Sequence, residues 1–283
     1  MTIFASNLLG GRRALITGGG TGLGKSMGRR FLELGAEVII CGRRADVLEA
    51  TAAEWKADFP KARIVTMPCD LRDDEAVEAM IGALWHAAPL DILVNNAAAT
   101  FIAQSHALSS RAVDAVLAAT LHGAIYATLA AGRRWIEGSH KGVVLSILST
   151  STITGRAFTM PSAIAKSGLL AMTKSLAVEW GPRGVRLVAI APGSFPTPGA
   201  SEQLRPAARG SADAASTNPL GRVGQHDELA DLAAFLVSDA ASYVNGEMVT
   251  IDGGQHLCGS GAEDLLAWSD ADWAKYRAER RRT

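Results

Sequence analysis

Tyrosine is scarce in this sequence of 283 residues, and a net charge is lacking. Phenol chemistry is confined to three positions, Tyr126, Tyr243 and Tyr276. The 28 lysines and arginines balance 28 aspartates and glutamates. Because a neutral chain exerts no long-range attraction on a polyanion, we expect neither nucleic acid nor an anionic membrane as a partner. Any anionic ligand must meet a local basic cluster.

Cysteines and strongly apolar runs are also few. Three widely spaced cysteines, Cys41, Cys69 and Cys258, favour reduced thiols over a disulfide framework or a metal site. The charge-free runs 92–110 and 115–132 contain asparagine, threonine or histidine and are too polar for lipid. Residues 1–11 show no basic region followed by an apolar one. We therefore expect a cytoplasmic protein with no membrane segment and no bound metal.

The chain is rich in apolar residues, at 48%, and only 20% of it is charged, which suits a large buried core. Short aliphatic runs alternate with segments that repeat apolar residues every three or four positions. This alternation predicts one doubly wound α/β domain, a seven-stranded parallel sheet with helices on both faces. The predicted strands are 13–16, 37–41, 63–67, 91–94, 142–148, 185–190 and 248–251. The clearest helical segments are 24–34, 72–87, 111–137, 161–180 and 226–238.

Residues 1–255 are expected to form that domain, and residues 256–283 a helical tail. Within the domain, residues 193–224 break the alternation, because they are rich in proline, glycine and serine and lack a sustained period. Long loops of this kind are usually lids or binding loops, so we predict a substrate loop here, with disorder as the alternative. The tail is expected to pack on the domain or on a neighbouring subunit. Its apolar residues at near-helical spacing are Leu265, Leu266, Trp268, Trp273 and Tyr276.

A glycine-rich turn follows the first predicted strand. It reads Thr17-Gly18-Gly19-Gly20-Thr21-Gly22-Leu23-Gly24 and leads directly into a helical segment. Glycines permit a tight turn and a close approach of the backbone to a pyrophosphate, to which the helix N-terminal amides can donate. The order strand, turn, helix therefore predicts a dinucleotide site. Its candidate residues are Gly18, Gly20, Thr21, Gly22, Leu23 and Gly24.

Arginine, rather than a carboxylate, follows the second predicted strand. A carboxylate there would bind the ribose 2′-hydroxyl of NAD(H), but the sequence reads Ile40-Cys41-Gly42-Arg43-Arg44. A guanidinium suits a 2′-phosphate, so we predict NADP(H) as the cofactor, held by Arg43 and Arg44. The alternative is that these arginines only begin a helix. Asp70, after the third strand, is expected to accept from the adenine amino group or to cap the following helix.

Further motifs follow in order along the chain. They are Asn95-Asn96-Ala97-Ala98, Ser149, Lys166, Pro192-Gly193 and Asp252-Gly253-Gly254. With the glycine turn and Asp70, they resemble the short-chain dehydrogenase/reductase family over residues 9–255. The resemblance implies a Rossmann fold, oxidoreductase activity and a homodimer or homotetramer. It implies that Asn95 supports the sheet and that Lys166 holds the nicotinamide ribose. The other residues that it places at the cofactor are Leu71, Asn96, Ala97, Pro192, Gly193, Phe195 and Thr197.

The catalytic motif of that family is altered here. Family members usually combine a serine, a tyrosine four residues before a lysine, and often an asparagine on the preceding helix. This chain reads Ser162-Ala163-Ile164-Ala165-Lys166, with Thr120 at the asparagine position. Tyr126 lies roughly 9 Å further along that helix, too far to replace the missing tyrosine. Because a serine has no accessible phenolate-like state, the family's usual alcohol–carbonyl interconversion is not expected.

One branch of the family, the 2,4-dienoyl-CoA reductases, lacks that tyrosine and reduces a carbon–carbon double bond. Our sequence resembles this branch in Pro161-Ser162-Ala163, in Ser175-Leu176-Ala177 and in Cys69-Asp70. The resemblance implies that Arg72, Phe101 and Ser109 contact an acyl-CoA, although Arg72 alternatively pairs with Asp73 or Asp74. Mitochondrial members have an asparagine and a tyrosine where this sequence has Thr100 and Ser151. Peroxisomal members have an acidic residue where it has Thr120.

The sequence thus predicts an NADPH-dependent reductase of an unsaturated acyl-CoA. Serine or threonine hydroxyls would bind the enolate oxygen, water would deliver the proton, and Lys166 would orient the ribose and add positive charge. The candidate hydroxyls are those of Thr100, Ser149, Ser151 and Ser162. One alternative is a carbonyl reductase or alcohol dehydrogenase with an altered acid, such as His122. Another is a non-catalytic NADP-binding subunit.

Overall fold

A parallel sheet runs through the chain. The computed structural model describes residues 4–197, 215, 218–259 and 261–280. In these residues the strand order is β3-β2-β1-β4-β5-β6-β7, and every neighbouring pair is parallel. The predicted seven-stranded doubly wound fold is confirmed. The strands are β1 (Arg13–Thr17), β2 (Glu37–Gly42), β3 (Ile64–Pro68), β4 (Ile92–Asn95), β5 (Gly142–Ile147), β6 (Val185–Pro192) and β7 (Met248–Ile251).

Helices cover both faces of the sheet. They are α1 (Gly22–Glu33), α2 (Ala45–Asp58), α3 (Asp74–Ala87), α4 (Ser110–Leu117), α5 (Gly123–Glu137), α6 (Ser151–Thr154), α7 (Met160–Trp180), α8 (His226–Val237) and α9 (Asp270–Arg280). Buried side chains of α1, α2 and α8 share one apolar cluster with the sheet, and those of α3, α5 and α7 share another. Neighbouring strand residues divide between these clusters, as Leu15 and Ile16 do. The two-sided burial explains why the strands are continuous apolar runs.

The sheet reverses its direction of winding at β1, because β2 lies on one side of it and β4 on the other. Thr17 is in register with Cys41 of β2, and Ile16 is in register with Val94 of β4. The loops that follow β1 and β4 therefore meet at the carboxyl edge of the sheet. Open α/β sheets bind ligands in such a crevice.

The helical segment before β5 contains an irregular turn. Residues Ala118–His122 form a π-helical turn that joins α4 to α5. The combined segment Ser110–Glu137 is long and apolar enough to cross a membrane by length and composition, contrary to the expectation from its polar residues. Half of its most apolar stretch is buried inside the domain. Core helices of soluble proteins meet the same criterion, so this property is weak evidence for a membrane span.

The tail contains the expected helix, α9. Its aromatic side chains pack on each other: the ring centroids of Trp268 and Trp273 are 4.9 Å apart, and those of Trp268 and Tyr276 are 5.6 Å apart. Among the described residues of α9, none is buried. The tail is therefore peripheral to the core of the domain. Most of the predicted substrate loop, residues 198–214, lies outside the described residues.

Candidate active site

The glycine turn is closely packed against the loop after β4. Gly18 and Gly22 have positive φ angles of 65° and 53°, which favour glycine. A Cβ atom on Gly24 would lie 2.5 Å from both the Gly18 carbonyl oxygen and the Asn96 Nδ2. The turn consequently cannot accept side chains at these positions without moving its neighbours.

The N-terminus of α1 is open to an anion. Thr21 occupies the cap position, and its side chain makes no capping hydrogen bond with the described residues. Within the described first turn, acidic residues are absent. Backbone amides at a helix N-terminus and the helix dipole both favour a negative ligand. The cradle of glycines and these amides fit the pyrophosphate of a dinucleotide.

Thr17 ties β1 to the start of the loop after β4. Its Oγ1 accepts hydrogen bonds from the backbone amides of Asn96 and Ala97, each at 3.0 Å. The Asn96 side chain donates back to the Thr17 carbonyl oxygen at 2.9 Å. The adjacent Asn95 donates from Nδ2 to Thr128 Oγ1 at 2.8 Å, which fastens β4 to α5. These bonds hold the crevice in one shape, in line with the supporting role expected for Asn95.

Two exposed arginines follow β2. Arg44 is the N-cap residue of α2, so part of the alternative reading, that the arginines begin a helix, is correct for its backbone. Both side chains are exposed to solvent. Arg43 also contributes to lowering the pKa of Asp70, which places positive charge near the end of β3. Arg43 and Arg44 therefore form a local basic cluster in a chain with no net charge.

Asp70 and Arg72 form a two-armed ion pair. Arg72 donates from Nε to Asp70 Oδ1 at 2.9 Å and from Nη2 to Oδ2 at 2.5 Å. The hydrogen bond from Arg72 is the main reason that the pKa of Asp70 falls to about 2. The expectation that Arg72 alternatively pairs with Asp73 or Asp74 is wrong, because its partner is Asp70. The capping alternative for Asp70 is also wrong, since Asp73 accepts from the amide of Ala76 at the start of α3.

Leu71 separates this pair from the core. Its side chain is buried, and a Cβ atom on Gly123 would lie 2.8 Å from the Leu71 Cβ. The side chain of Leu71 therefore packs against the start of α5.

A buried lysine lies at the carboxyl end of β5. Lys166 on α7 donates from Nζ to the Ile147 carbonyl oxygen at 2.5 Å. Desolvation by burial lowers the pKa of Lys166 to about 8, so the ammonium form still predominates at neutral pH. Nearby, Ser149 Oγ accepts from the backbone amide of Ser151 at 3.3 Å. Ser151 is buried, whereas Ser149, Ser162 and Thr100 are partly buried.

All three tyrosines lie away from this serine and lysine cluster. Tyr126 packs on the apolar cluster beneath the sheet, with its ring 6.2 Å from that of His122. Tyr243 is fully exposed and Tyr276 belongs to the tail. Thr120, on the π turn, accepts from the Ala99 amide at 2.9 Å and donates to the Ala99 carbonyl at 3.3 Å. It therefore anchors the segment that leads to Thr100 and Phe101.

Ser109, predicted to touch an acyl-CoA, is the N-cap residue of α4. Its Oγ accepts from the Ala112 amide at 3.2 Å, and the residue is exposed. Phe101 is partly buried. The Ala103 amide donates to the Phe158 carbonyl oxygen at 3.0 Å, which joins the segment after β4 to the turn before α7. Phe158 is exposed and has a φ of 65°, an aromatic surface that sequence reasoning did not single out.

The start of the predicted substrate loop is closely packed. Gly193 donates to the Ile251 carbonyl at 2.9 Å, and a Cβ atom on it would lie 2.4 Å from Asp252 Cβ. Phe195 is buried against Gly224. Thr197 reaches the glycine turn, where its Cγ2 is 3.2 Å from the position of a Cβ on Gly22. Thr197 thus brings the segment after Pro192 to the glycine turn that follows β1.

His226, at the start of α8, was not found by sequence reasoning. Its imidazole contacts Ser26 on α1 and the Pro196 carbonyl oxygen. A single histidine between Gln225 and Asp227 carries no periodic signal, and its partners are 200 and 30 residues away along the chain. Only the folded arrangement reveals the contact.

Comparison with known proteins is consistent with this arrangement. Residues 18–256 match the sequence profile described as Enoyl-(Acyl carrier protein) reductase. A relative named probable 2,4-dienoyl-CoA reductase, from Bacillus subtilis (strain 168), is 40% identical over 248 residues, covering 87% of this chain and 97% of the relative.

Solved structures show the same similarity. A short chain dehydrogenase from Bacillus anthracis has a TM-score of 0.77 and 38% identity, over 89% of this chain and 98% of that one. A gluconate 5-dehydrogenase from Burkholderia cenocepacia J2315, in complex with NADP and tartrate, has a TM-score of 0.83 and 30% identity, over 90% of this chain and 99% of that one.

Proposed function

Because the chain belongs to the short-chain dehydrogenase/reductase family of nicotinamide-dependent oxidoreductases, we propose that it reduces a carbon–carbon double bond of an unsaturated acyl-CoA with NADPH. The observation that carries this proposal is Ser162, one helical turn before Lys166 on α7. A phenol at that position would serve carbonyl reduction as an acid. A serine hydroxyl can donate a hydrogen bond but cannot supply an anion for general acid–base work at neutral pH.

Reduction of a conjugated double bond makes a different demand on the protein. NADPH, when bound, would supply the hydride for the conjugated system. Negative charge would then develop on the thioester oxygen, and water would supply the proton that adds to carbon. The protein must stabilise the developing oxyanion, and hydroxyl donors suffice for that. The candidate donors are Thr100, Ser149, Ser151 and Ser162.

Lys166 would hold the nicotinamide ribose and supply positive charge beside the reacting groups. Its bond to the Ile147 carbonyl fixes the direction of the side chain and leaves two ammonium protons for other acceptors. Burial strengthens the electrostatic effect of the ammonium, because the effective dielectric constant is low there. The lowered pKa of about 8 leaves this charge in place at neutral pH.

The basic cluster supports NADP(H) as the cofactor. Arg43 is exposed just beyond β2. A guanidinium there can bind a 2′-phosphate through two parallel hydrogen bonds. The NADP bound by the gluconate 5-dehydrogenase of similar structure is in line with this choice. Arg44 would add charge beside Arg43.

The acyl-CoA is favoured by the probable 2,4-dienoyl-CoA reductase among the relatives. Arg72, Phe101 and Ser109 would contact the thioester ligand. For Arg72 this contact competes with Asp70, since one guanidinium fork cannot serve both ligands fully. Ser109 can contribute while it caps α4, because its hydroxyl proton is not used in accepting from Ala112.

A substrate panel tests the proposal. NADPH oxidation is followed with a trans-2-enoyl-CoA, a 2,4-dienoyl-CoA and several ketones, and we expect turnover with an acyl-CoA. Turnover with ketones alone would reject the proposal and favour a carbonyl reductase. NADPH binding without turnover of any of these compounds would favour a non-catalytic subunit.

The assembly we propose is a homodimer or homotetramer in the cytoplasm. Large apolar side chains are exposed on α5 and α7, namely Leu129, Ile164 and Val178. Their burial in a partner would remove apolar surface from water. The thiols of Cys41, Cys69 and Cys258 are free, which suits a reducing compartment. Sedimentation of the purified protein measures the assembly, and a monomer would contradict it.

A further inference from the structure

His226 bridges the cofactor helix and the start of the predicted substrate loop. Its Nε2 lies 2.9 Å from the Pro196 carbonyl oxygen, and its Nδ1 lies 3.0 Å from Ser26 Oγ. Ser26 follows Gly22 by one helical turn on α1, and its Oγ is 3.2 Å from the Gly22 carbonyl oxygen. One imidazole thus connects the end of the glycine turn to the segment that follows β6.

The bridge has a definite direction of donation. A carbonyl oxygen can only accept, so the Nε2 of His226 carries a proton and donates it to Pro196. In a neutral imidazole Nδ1 is then the acceptor, so the single hydroxyl proton of Ser26 must point to Nδ1 at 3.0 Å and not to the Gly22 carbonyl oxygen at 3.2 Å. An alanine at position 226 removes both bonds. A glutamine keeps an amide donor at about the distance of Nε2 from the backbone.

The histidine is carried by a firmly held helix start. Gln225 donates from its backbone amide to Glu228 at 2.8 Å, and Arg222 donates to the same carboxylate at 2.6 Å. Further along α8, Asp231 pairs with Arg30 of α1 at 2.5 Å. Because α8 is fixed to α1 in this way, the imidazole can hold Pro196 in place relative to the glycine turn.

The contacts form a closed ring at the N-terminus of α1. Gly22 leads to Ser26 along the helix, Ser26 to His226, and His226 to Pro196. Thr197 closes the ring, because its Cγ2 is 3.2 Å from the Cβ position of Gly22. The ring therefore surrounds the end of the helix where amides are available to a pyrophosphate.

We propose that His226 is a positioning residue for the dinucleotide. By holding Pro196, it keeps Thr197 beside Gly22, so that the two walls of the pyrophosphate site are assembled before the cofactor binds. Preorganisation of this kind raises affinity by reducing the ordering that binding requires. The inference needs only the binding of a nicotinamide dinucleotide, and it does not depend on the acyl-CoA.

NADPH binding by the full chain, followed by NADPH fluorescence with no substrate present, tests the role of His226. We expect His226→Ala to weaken NADPH binding about tenfold and Ser26→Ala about threefold, since the first variant loses two hydrogen bonds and the second loses one. His226→Gln should restore most of the affinity through a donor to Pro196. The double variant should bind no more weakly than His226→Ala, because both residues act through one bridge.

His86→Ala is the matched control, because His86 is exposed at the far end of α3. It should leave both NADPH affinity and the unfolding temperature unchanged. Wild-type affinity in His226→Ala would overturn the proposal. So would a loss of affinity that matches a fall in unfolding temperature and that His226→Gln does not restore, because this is the pattern of a merely structural residue.

Discussion

Lys166 donates from its Nζ to the carbonyl oxygen of Ile147 across 2.5 Å, and this bond fixes a buried ammonium at the carboxyl end of β5. Burial alone accounts for the lowered pKa of Lys166, and no carboxylate among the described residues offsets it. Such a group is costly for stability and is therefore expected to serve function. The combination predicts that removal of the ammonium lowers activity without lowering stability.

Lys166→Met should lower kcat by about 100-fold, the size expected for one lost electrostatic donor. It should not lower the free energy of unfolding at neutral pH, because the buried charge is removed. Rates of NADPH oxidation and urea unfolding measure the two effects. A variant with full activity would contradict the proposed role.

The pH dependence of the same residue has a defined sign. The pKa of Lys166 is about 8 in the folded protein and has an ordinary value of 10.5, so the unfolded chain binds more protons between these values. The free energy of unfolding should therefore rise with pH across this window, by about 3 kcal/mol at most. The kcat/KM of the wild type should fall above pH about 8 as the ammonium is lost. A flat profile in that range would argue against a catalytic ammonium.

Arg43→Asp should reverse the preference for the cofactor. Removal of a two-armed phosphate contact and introduction of a repelling carboxylate should weaken NADPH binding about 10-fold to 100-fold, while NADH binding is maintained or improved. The ratio of kcat/KM for the two cofactors measures the change. Arg44→Asp is the comparison, because an aspartate suits the N-cap position of α2 that Arg44 occupies. An unchanged ratio in Arg43→Asp would refute its phosphate role.

Gly24→Ala should damage the cofactor site. The added methyl would lie 2.5 Å from the Gly18 carbonyl oxygen and from Asn96, so α1 must shift away from β1. We expect a loss of about 1–3 kcal/mol in the free energy of unfolding and a loss of NADPH affinity. Gly82→Ala is the control, since its methyl meets only the flexible end of Arg134 at 3.1 Å within the described residues. Equal behaviour of the two variants would contradict the close packing.

Ser162→Tyr tests the loss of the phenol directly. With a tyrosine one helical turn before Lys166, we expect measurable ketone reduction, because a phenol can act as the acid, and a lower rate with an acyl-CoA, because the ring takes up more space than the serine side chain. The substrate panel described above measures both rates. Ser175→Tyr, at an exposed position of the same helix, should change neither. Unchanged rates in Ser162→Tyr would show that position 162 is remote from the reaction.

Local patterns were sufficient to predict the fold. The central strands, such as β1 and β6, are apolar runs buried on both sides, and the edge strands β3 and β7 are partly buried, so each strand is visible without knowledge of its neighbours. The predicted ends were less accurate: β1 continues to Thr17 and β6 to Pro192, because pairing with adjacent strands continues into the crevice. Pairing energy depends on the neighbouring strand, which a single segment cannot reveal.

Side-chain contacts, both local and between distant segments, limited what could be predicted about the site. The partner of Arg72 was expected among the next residues along the chain, but the backbone turns it toward Asp70 instead. Ser109 was assigned to a ligand by resemblance, and the structure adds its capping of α4. His226 has no sequence signal at all, because its two partners belong to other elements of the fold.

The π turn at Ala118–His122 makes the geometry of the site depend on the number of residues between α4 and α5. One additional residue in a helical turn puts α4 and α5 out of phase by about 100° of rotation. Thr120 on that turn holds both polar backbone atoms of Ala99. A deletion of one residue would realign the two helices and withdraw this hold. The position of the segment from Ala99 to Phe101 therefore depends on the number of residues in this turn. Relatives with a turn of different length should differ in the shape of the site around that segment.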